Sequence, residues 1–240
     1  MTTAVVSGGG TGIGLAVARR LAGRGLEVTV LGRRPDVLAD AARQTGATPV
    51  VCDVADPAAV AAALDALPAE VGVLVNNAGG NTDLDGPEPP PGDLAALAAA
   101  WQDNLRSNLI SAVLLTAALA PRLADGGRVV TLGSIAARTG AGSYGAAKAA
   151  VEAWTIDVAR ELGPRGISAN VVSPGLTVAT EFFRGRLSAE RTGQLVAATA
   201  TGRAGTPDDV AALIDFLAGP DAGHITGQVL HVNGGAHLGR

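Results

Sequence analysis

A doubly wound α/β fold, one parallel sheet of seven strands with helices on both faces, is what this 240-residue chain predicts. Short apolar, β-branched runs alternate with alanine-rich stretches of helical length almost from end to end, the order that builds parallel strands joined by helical crossovers. A glycine-rich turn follows directly on the first apolar run. No linker, composition break or internal repeat interrupts the series, so residues 1–240 are expected to form a single domain.

The first strand, residues 3–7, runs into Ser7-Gly8-Gly9-Gly10-Thr11-Gly12-Ile13-Gly14, after which Leu15, Val17, Ala18 and Leu21 place one apolar face on a helix over 12–23. A strand, a glycine turn and a helix N-terminus make a phosphate cradle, because glycine allows close approach while free amides and the helix dipole face the anion. The same pattern can be a tight turn without a ligand, but its place on the first strand of a βαβ series favours a dinucleotide and a Rossmann-type sheet. A second strand at 27–31 ends in Leu31-Gly32-Arg33-Arg34. No carboxylate stands there to accept from a ribose 2′-hydroxyl, and the arginine forks suit a 2′-phosphate, so NADP is expected ahead of NAD. A solvent-facing arginine is the plainer alternative.

A helix over 36–45 leads to a strand at 48–52 and then to Asp53 and Val54, placed to meet the adenine; Asp53 can equally cap the next turn. A helix over 57–67 precedes a strand at 71–75, which ends in Asn76-Asn77-Ala78-Gly79, small and amide-bearing residues suited to pinning strands beside a ligand. Residues 80–93 form an acidic, proline-rich loop, expected to be exposed. One long helix is predicted over 94–121, apolar apart from a few residues such as Asn108, whose buried amide must find partners. A strand at 127–132 delivers Gly133-Ser134 at its carboxyl end, the edge where open α/β sheets bind ligands. A helix over 143–162, a strand at 167–172, a helix over 207–218 and a strand at 228–232 complete the series.

Composition narrows the partners. A formal charge of −4 gives no reason to expect nucleic acid or an anionic membrane surface. One cysteine, Cys52, excludes an internal disulfide, and three histidines offer no metal-ligand spacing, so no metal is expected. The start of the chain carries no basic n-region or cleavage site, and the apolar uncharged stretch 107–121 is too short for a bilayer, so a cytoplasmic protein is expected.

Tyr144 is the one tyrosine and Lys148 the one lysine, against seventeen arginines. Four residues apart on a helix, phenol and ammonium lie on one face. In isolation such a pair reads first as two surface residues, but here Ser134 precedes it by ten residues and the glycine cradle opens on the same sheet edge.

With these motifs in order, the sequence resembles the short-chain dehydrogenase/reductase family, in its short single-domain branch, over essentially the whole chain, and its 3-oxoacyl-carrier-protein reductases in particular. The resemblance rests on Ser7 to Gly14, Asn76 to Gly79, Asn108, Ser134, Tyr144-x-x-x-Lys148, Ser173-Pro174-Gly175, Arg203 to Pro207, Ile225 to Gln228 and Val232 to Gly235. It implies hydride transfer between NADP or NAD and a carbonyl or secondary alcohol. Tyr144 would be the acid or base, Ser134 a donor to the substrate oxygen, Lys148 a partner of the nicotinamide ribose, and Asn108 the holder of a water behind Lys148. Gly8, Thr11, Gly12, Ile13, Gly14, Arg33, Arg34, Asp53, Val54, Asn77, Ala78 and Gly79 would contact the cofactor, with Tyr144 and Lys148. Pro174, Gly175 and Thr177 would meet the nicotinamide, Thr180 competing with Thr177. Residues 177–202 would form a variable lid, whose Arg184, Arg186 and Arg191 could meet a carrier-bound acyl chain, and helices 94–121 and 143–162 would assemble a homotetramer.

Three departures from the family pattern stand out: the Ser134–Tyr144 segment is a few residues shorter, two threonines follow Pro174-Gly175, and Thr11 stands where NADP users often carry a basic residue. A cation within about 4–6 Å lowers an acid's pKa by roughly 1–3 units, so Lys148 and an oxidised nicotinamide are expected to draw Tyr144 down from about 10. A non-catalytic dinucleotide sensor on the same fold is the alternative of a different class.

Overall fold

A computed structural model describes residues 3–238. Seven strands, β1 (Thr3–Ser7), β2 (Glu27–Gly32), β3 (Thr48–Val51), β4 (Val71–Asn76), β5 (Leu123–Leu132), β6 (Ser168–Pro174) and β7 (Val229–Val232), form one sheet in the order β3-β2-β1-β4-β5-β6-β7. Every pairing is parallel. The order reverses between β1 and β4, which puts a crevice at their carboxyl ends.

The side-chain period of two sorts each strand between two cores. Ala4 and Val6 of β1 and Val73 and Val75 of β4 pack with α1 (Gly12–Gly23) and α9 (Pro207–Leu217) through Val17, Leu21, Ile214 and Leu217. Val5 and Leu74 face the other way, against Val60 of α3 (Pro57–Ala63), Leu115 and Leu119 of α5 (Ser111–Leu119) and Val158 of α7 (Gly142–Leu162). Both faces are covered, as the near-continuous apolar strands require. Leu38 of α2 (Pro35–Thr45) closes the first core.

The expected helix over 94–121 is not continuous. It runs as α4 (Leu94–Leu105), a π-helical turn at Arg106–Ile110 and then α5, and Asn108 sits in the turn. Widened turns of this kind gather at functional sites because they re-aim one side chain. β5 begins earlier than expected, at Leu123, which pairs with Val71 before the register shifts. Two helices were not expected: α6 (Ala136–Thr139), a single turn, and α8 (Ala189–Ala197), whose N-cap Ser188 accepts from Arg191 N. The Arg203 to Pro207 motif has a local explanation at the start of α9. Thr206 and Asp209 form a reciprocal capping box, and Arg203 chelates the Asp209 carboxylate. Hydrogen bonds from these groups hold that carboxyl well below the usual range. Among the described residues no helix is long and apolar enough to cross a membrane, and no group of histidine, cysteine and carboxylate side chains converges to hold a metal.

Candidate active site

The crevice is built first by backbone. The Gly8 and Gly9 amides donate to Leu31 O, which ties the glycine turn to the end of β2. On its other side Asn77 Nδ2 donates to Ser7 O and Gly8 O at 3.1 and 3.0 Å, and Ser7 Oγ accepts from the Asn77 and Ala78 amides, both at 3.1 Å. Glycine is required at two points. Gly8 has φ +63°, and a Cβ on Gly14 would stand 2.2 Å from Gly8 O, so only a bare backbone lets α1 close down on the strand. Thr11, at the N-cap of α1, makes no side-chain cap, and no acidic residue stands in the first turn. The leading amides of α1 are therefore free to receive an anion, and the turn fits the pyrophosphate of a dinucleotide. Ile13 packs against the first core.

Of the adenosine-side residues, Arg33 is exposed at the β2 exit. Arg34 instead forms a two-pronged ion pair with Glu181, at 2.6 and 3.5 Å. Asp53 Oδ1 accepts from the Ala55 amide, so one carboxylate oxygen serves the turn before α3, and Val54 is buried beside it. Gly79, at the end of the Asn76 to Gly79 stretch, has φ +150° and leaves no room for a side chain beside Asn108 Oδ1.

Tyr144 and Lys148 lie on the buried face of α7, 6% and 4% exposed. Lys148 Nζ donates to Leu132 O at 2.7 Å, at the end of β5, and stands 5.9 Å from the centre of the Tyr144 ring. Ser134 follows that strand end, its Oγ accepting from the Ala136 amide and lying near enough to the phenol to favour its ionised form. The Ile135 amide donates to Pro174 O, so the Ser134 turn lies against Pro174-Gly175. Thr177 is buried and donates to Gly175 O, whereas Thr180 donates to Thr177 O and lies over Gly12. Ser134, Tyr144 and Lys148 thus meet at one edge despite the shortened connection between them.

The charge balance differs from expectation. Burial pushes the Tyr144 phenol up to about 12, with the Ser134 hydroxyl pulling the other way, and burial pushes Lys148 down to about 8. Lys148 alone does not draw the phenol below 10, because desolvation disfavours the charged form of each group and outweighs their attraction.

Asn108 finds the partners its buried amide requires. Its Nδ2 donates to Gly80 O at 2.8 Å and Asn104 O at 3.0 Å, and its Oδ1 accepts from the Gly80 amide at 3.1 Å. The amide therefore fastens the loop after β4 to the π turn. Asn104 escaped the sequence reading altogether. Fully buried, it donates to Asp83 Oδ1 and Ser143 Oγ at 2.9 and 2.8 Å and accepts from the Thr82 amide, joining the acidic loop to the first turn of α7, next to Tyr144. Its spacing of four from Asn108 in an apolar helix was the available signal. Asn104→Ala is expected to lower stability by about 1–3 kcal/mol in urea unfolding, since it strands polar partners on both elements.

Phe182, in the segment expected to form the lid, reaches the site. Its ring lies 5.5 Å from that of Tyr144, tilted by 57°, and Phe183 packs edge-on against it at 4.9 Å.

Comparison with known proteins agrees with this geometry. Residues 8–237 match the family model described as enoyl-(acyl carrier protein) reductase. The short-chain reductase protein NovJ of Streptomyces niveus is 36% identical over 251 residues, covering 98% of this chain and 93% of that protein. The 3-oxoacyl-[acyl-carrier-protein] reductase FabG of Escherichia coli strain K12 is 34% identical over 250 residues, covering 98% and 97%. Among solved structures, a blue fluorescent protein from a metagenomic library in complex with NADPH superposes with a TM-score of 0.85 at 32% identity, covering 99% and 98% of the two chains. A short-chain dehydrogenase from Burkholderia cenocepacia J2315 in complex with NADP gives 0.83 at 33%, with the same coverage. Sequence, fold and the crevice at the β1–β4 switch point lead to one assignment: the chain belongs to the short-chain dehydrogenase/reductase family and is an oxidoreductase that works with a nicotinamide cofactor.

Proposed function

We propose that this protein is an NADPH-dependent ketoreductase acting through Ser134, Tyr144, Lys148 and Asn108. The observation that carries the reading is the buried phenol of Tyr144, neutral at ordinary pH, beside Ser134 and with Lys148 behind it. A bound nicotinamide would supply the hydride. Tyr144 donates its proton to the carbonyl oxygen as negative charge grows there, and Ser134 Oγ–H supports the same oxygen. Lys148, its ammonium brought down to about 8 by burial, stabilises the phenolate left behind and would pass protons on through a water behind it. Asn108, held by Gly80 and Asn104, fixes the π turn through which a water behind Lys148 would be positioned.

The Gly8–Gly14 cradle, Asp53, Val54, Asn77 to Gly79, Pro174, Gly175 and Thr177 hold the cofactor, with Arg33 and Arg34 offering the forks for its 2′-phosphate. Solved relatives described as complexes with NADPH and NADP support that preference. Residues 177–202 form the substrate lid of a one-domain, cytoplasmic enzyme that assembles as a homotetramer. A small ketone suits the mouth better than an acyl group on an acidic carrier: Arg184 of the lid is already paired with Asp85.

Loss of NADPH absorbance with a panel of ketones, a 3-oxoacyl thioester and an enoyl thioester tests the reading. Turnover of at least one ketone or 3-oxo compound is expected. Turnover of the enoyl thioester alone would replace carbonyl reduction with alkene reduction.

A further inference from the structure

We propose that Glu181 occupies the phosphate fork of Arg34, so that the 2′-phosphate of NADP displaces it and frees the lid from Tyr144. The inference rests on the reading of the glycine turn and Arg34 as part of a dinucleotide site. Arg34 caps the start of α2 beside the glycine turn, and its guanidinium engages both oxygens of Glu181, a residue 147 positions away in the lid. A carboxylate and a phosphate monoester are alternative ligands for one planar fork. NAD, with a 2′-hydroxyl, brings no competing anion.

The segment carrying Glu181 is placed to feel that exchange. It leaves a firm anchor, where Thr177 bridges Gly205 and the Val178 amide donates to Gly205 O. It then crosses the crevice with Thr180 over Gly12, Glu181 on Arg34 and Phe182 against the Tyr144 ring, and it is tied again where Arg184 pairs with Asp85 of the acidic loop. Ala179 and Arg184, at φ +56° and +50°, bracket the crossing in a left-handed conformation that non-glycine residues resist. In this arrangement Phe182 covers the ring whose hydroxyl must meet a substrate carbonyl. One of the strap's two ion-pair ties lies in the cofactor's path. Both partners of the Arg34 pair are more than half exposed, 54% and 61%, which makes the tie weak enough for a phosphate to displace. Asp36, also facing Arg34, adds negative charge that Glu181 and an incoming phosphate would both meet.

Titration calorimetry with NADP+ and NAD+ on the full chain, as wild type, Glu181→Gln, Arg34→Gln and the double variant, measures the competition. Glu181→Gln is expected to tighten NADP+ about three- to fivefold and to leave NAD+ within about twofold. The gain should vanish in the Arg34→Gln background. Amide hydrogen exchange over residues 180–186 should be faster with saturating NADP+ than with saturating NAD+. Equal tightening of both cofactors, no tightening of either, or identical exchange with the two would overturn the coupling while leaving the dinucleotide site intact. If neither cofactor bound the wild type, the dinucleotide reading itself would fall, and this inference with it.

Discussion

Tyr144→Phe is expected to lower kcat for carbonyl reduction by about 10²–10⁴ while leaving the Kd of the cofactor nearly unchanged. The substitution removes one oxygen from a buried position and keeps the ring that packs between Lys148 and Phe182. The fold should therefore survive, and the missing function is proton donation alone. The pH profile separates this from a structural effect. With the phenol pushed up to about 12, Tyr144 is protonated throughout the neutral range, which favours reduction; alcohol oxidation needs the phenolate, so its rate should climb as pH rises towards that value. A positive charge brought by the oxidised cofactor would move the inflection below 12. In the phenylalanine variant the residual oxidation rate should lack the climb. Stopped-flow or steady-state absorbance of the nicotinamide in both directions measures it, and a variant retaining a tenth or more of the activity would remove Tyr144 from the mechanism.

Much of this site was legible in the sequence because its parts are local. The Ser7 to Gly14 turn needs glycine for reasons confined to a strand end and a helix start, and alternating apolar residues such as Val5 against Ala4 and Val6 announce a strand buried on both faces. Tyr144 and Lys148 stood out because each residue type occurs once, and their spacing of four placed them on one helical face. What escaped was set by contacts distant in sequence. Nothing near Asn108 announces a π turn; the widening is fixed by hydrogen bonds to Gly80, 28 residues earlier. Phe182 on Tyr144 and Glu181 on Arg34 join a polar segment of low helical contrast to elements laid down long before it. The weight of burial on Tyr144 was hidden for the same reason. Sequence spacing places a cation near a phenol, but only the packed structure shows that both are sealed from water, and desolvation then dominates.

Lys148→Met is expected to cost turnover about as heavily as the loss of the phenol, and to raise stability at pH 7. Burial takes the Lys148 ammonium from 10.5 to about 8, worth roughly 3 kcal/mol against the folded state at about 1.4 kcal/mol per pH unit. Methionine fills a similar volume without charge, but it leaves Leu132 O without its 2.7 Å donor, a loss of about 1–2 kcal/mol. The balance favours the variant by roughly 1–2 kcal/mol at neutral pH. Between about 8 and 10.5 the unfolded chain holds this proton and the folded chain does not, so wild-type stability gains with rising pH across that window. The variant lacks the gain, and the two melting curves should cross. Tyr144, whose pKa is raised by burial, draws stability down from about 10 towards about 12, but it does so in both proteins and largely cancels in their difference. Lys148→Arg supplies the control: a guanidinium cannot shed its charge, so that variant should stay below wild type at every pH. Thermal melts of the three proteins at pH 7 and pH 10 decide the matter. A methionine variant less stable than wild type at both would show that the ammonium is solvated better than its burial implies, and that this site carries no strain for the sake of chemistry.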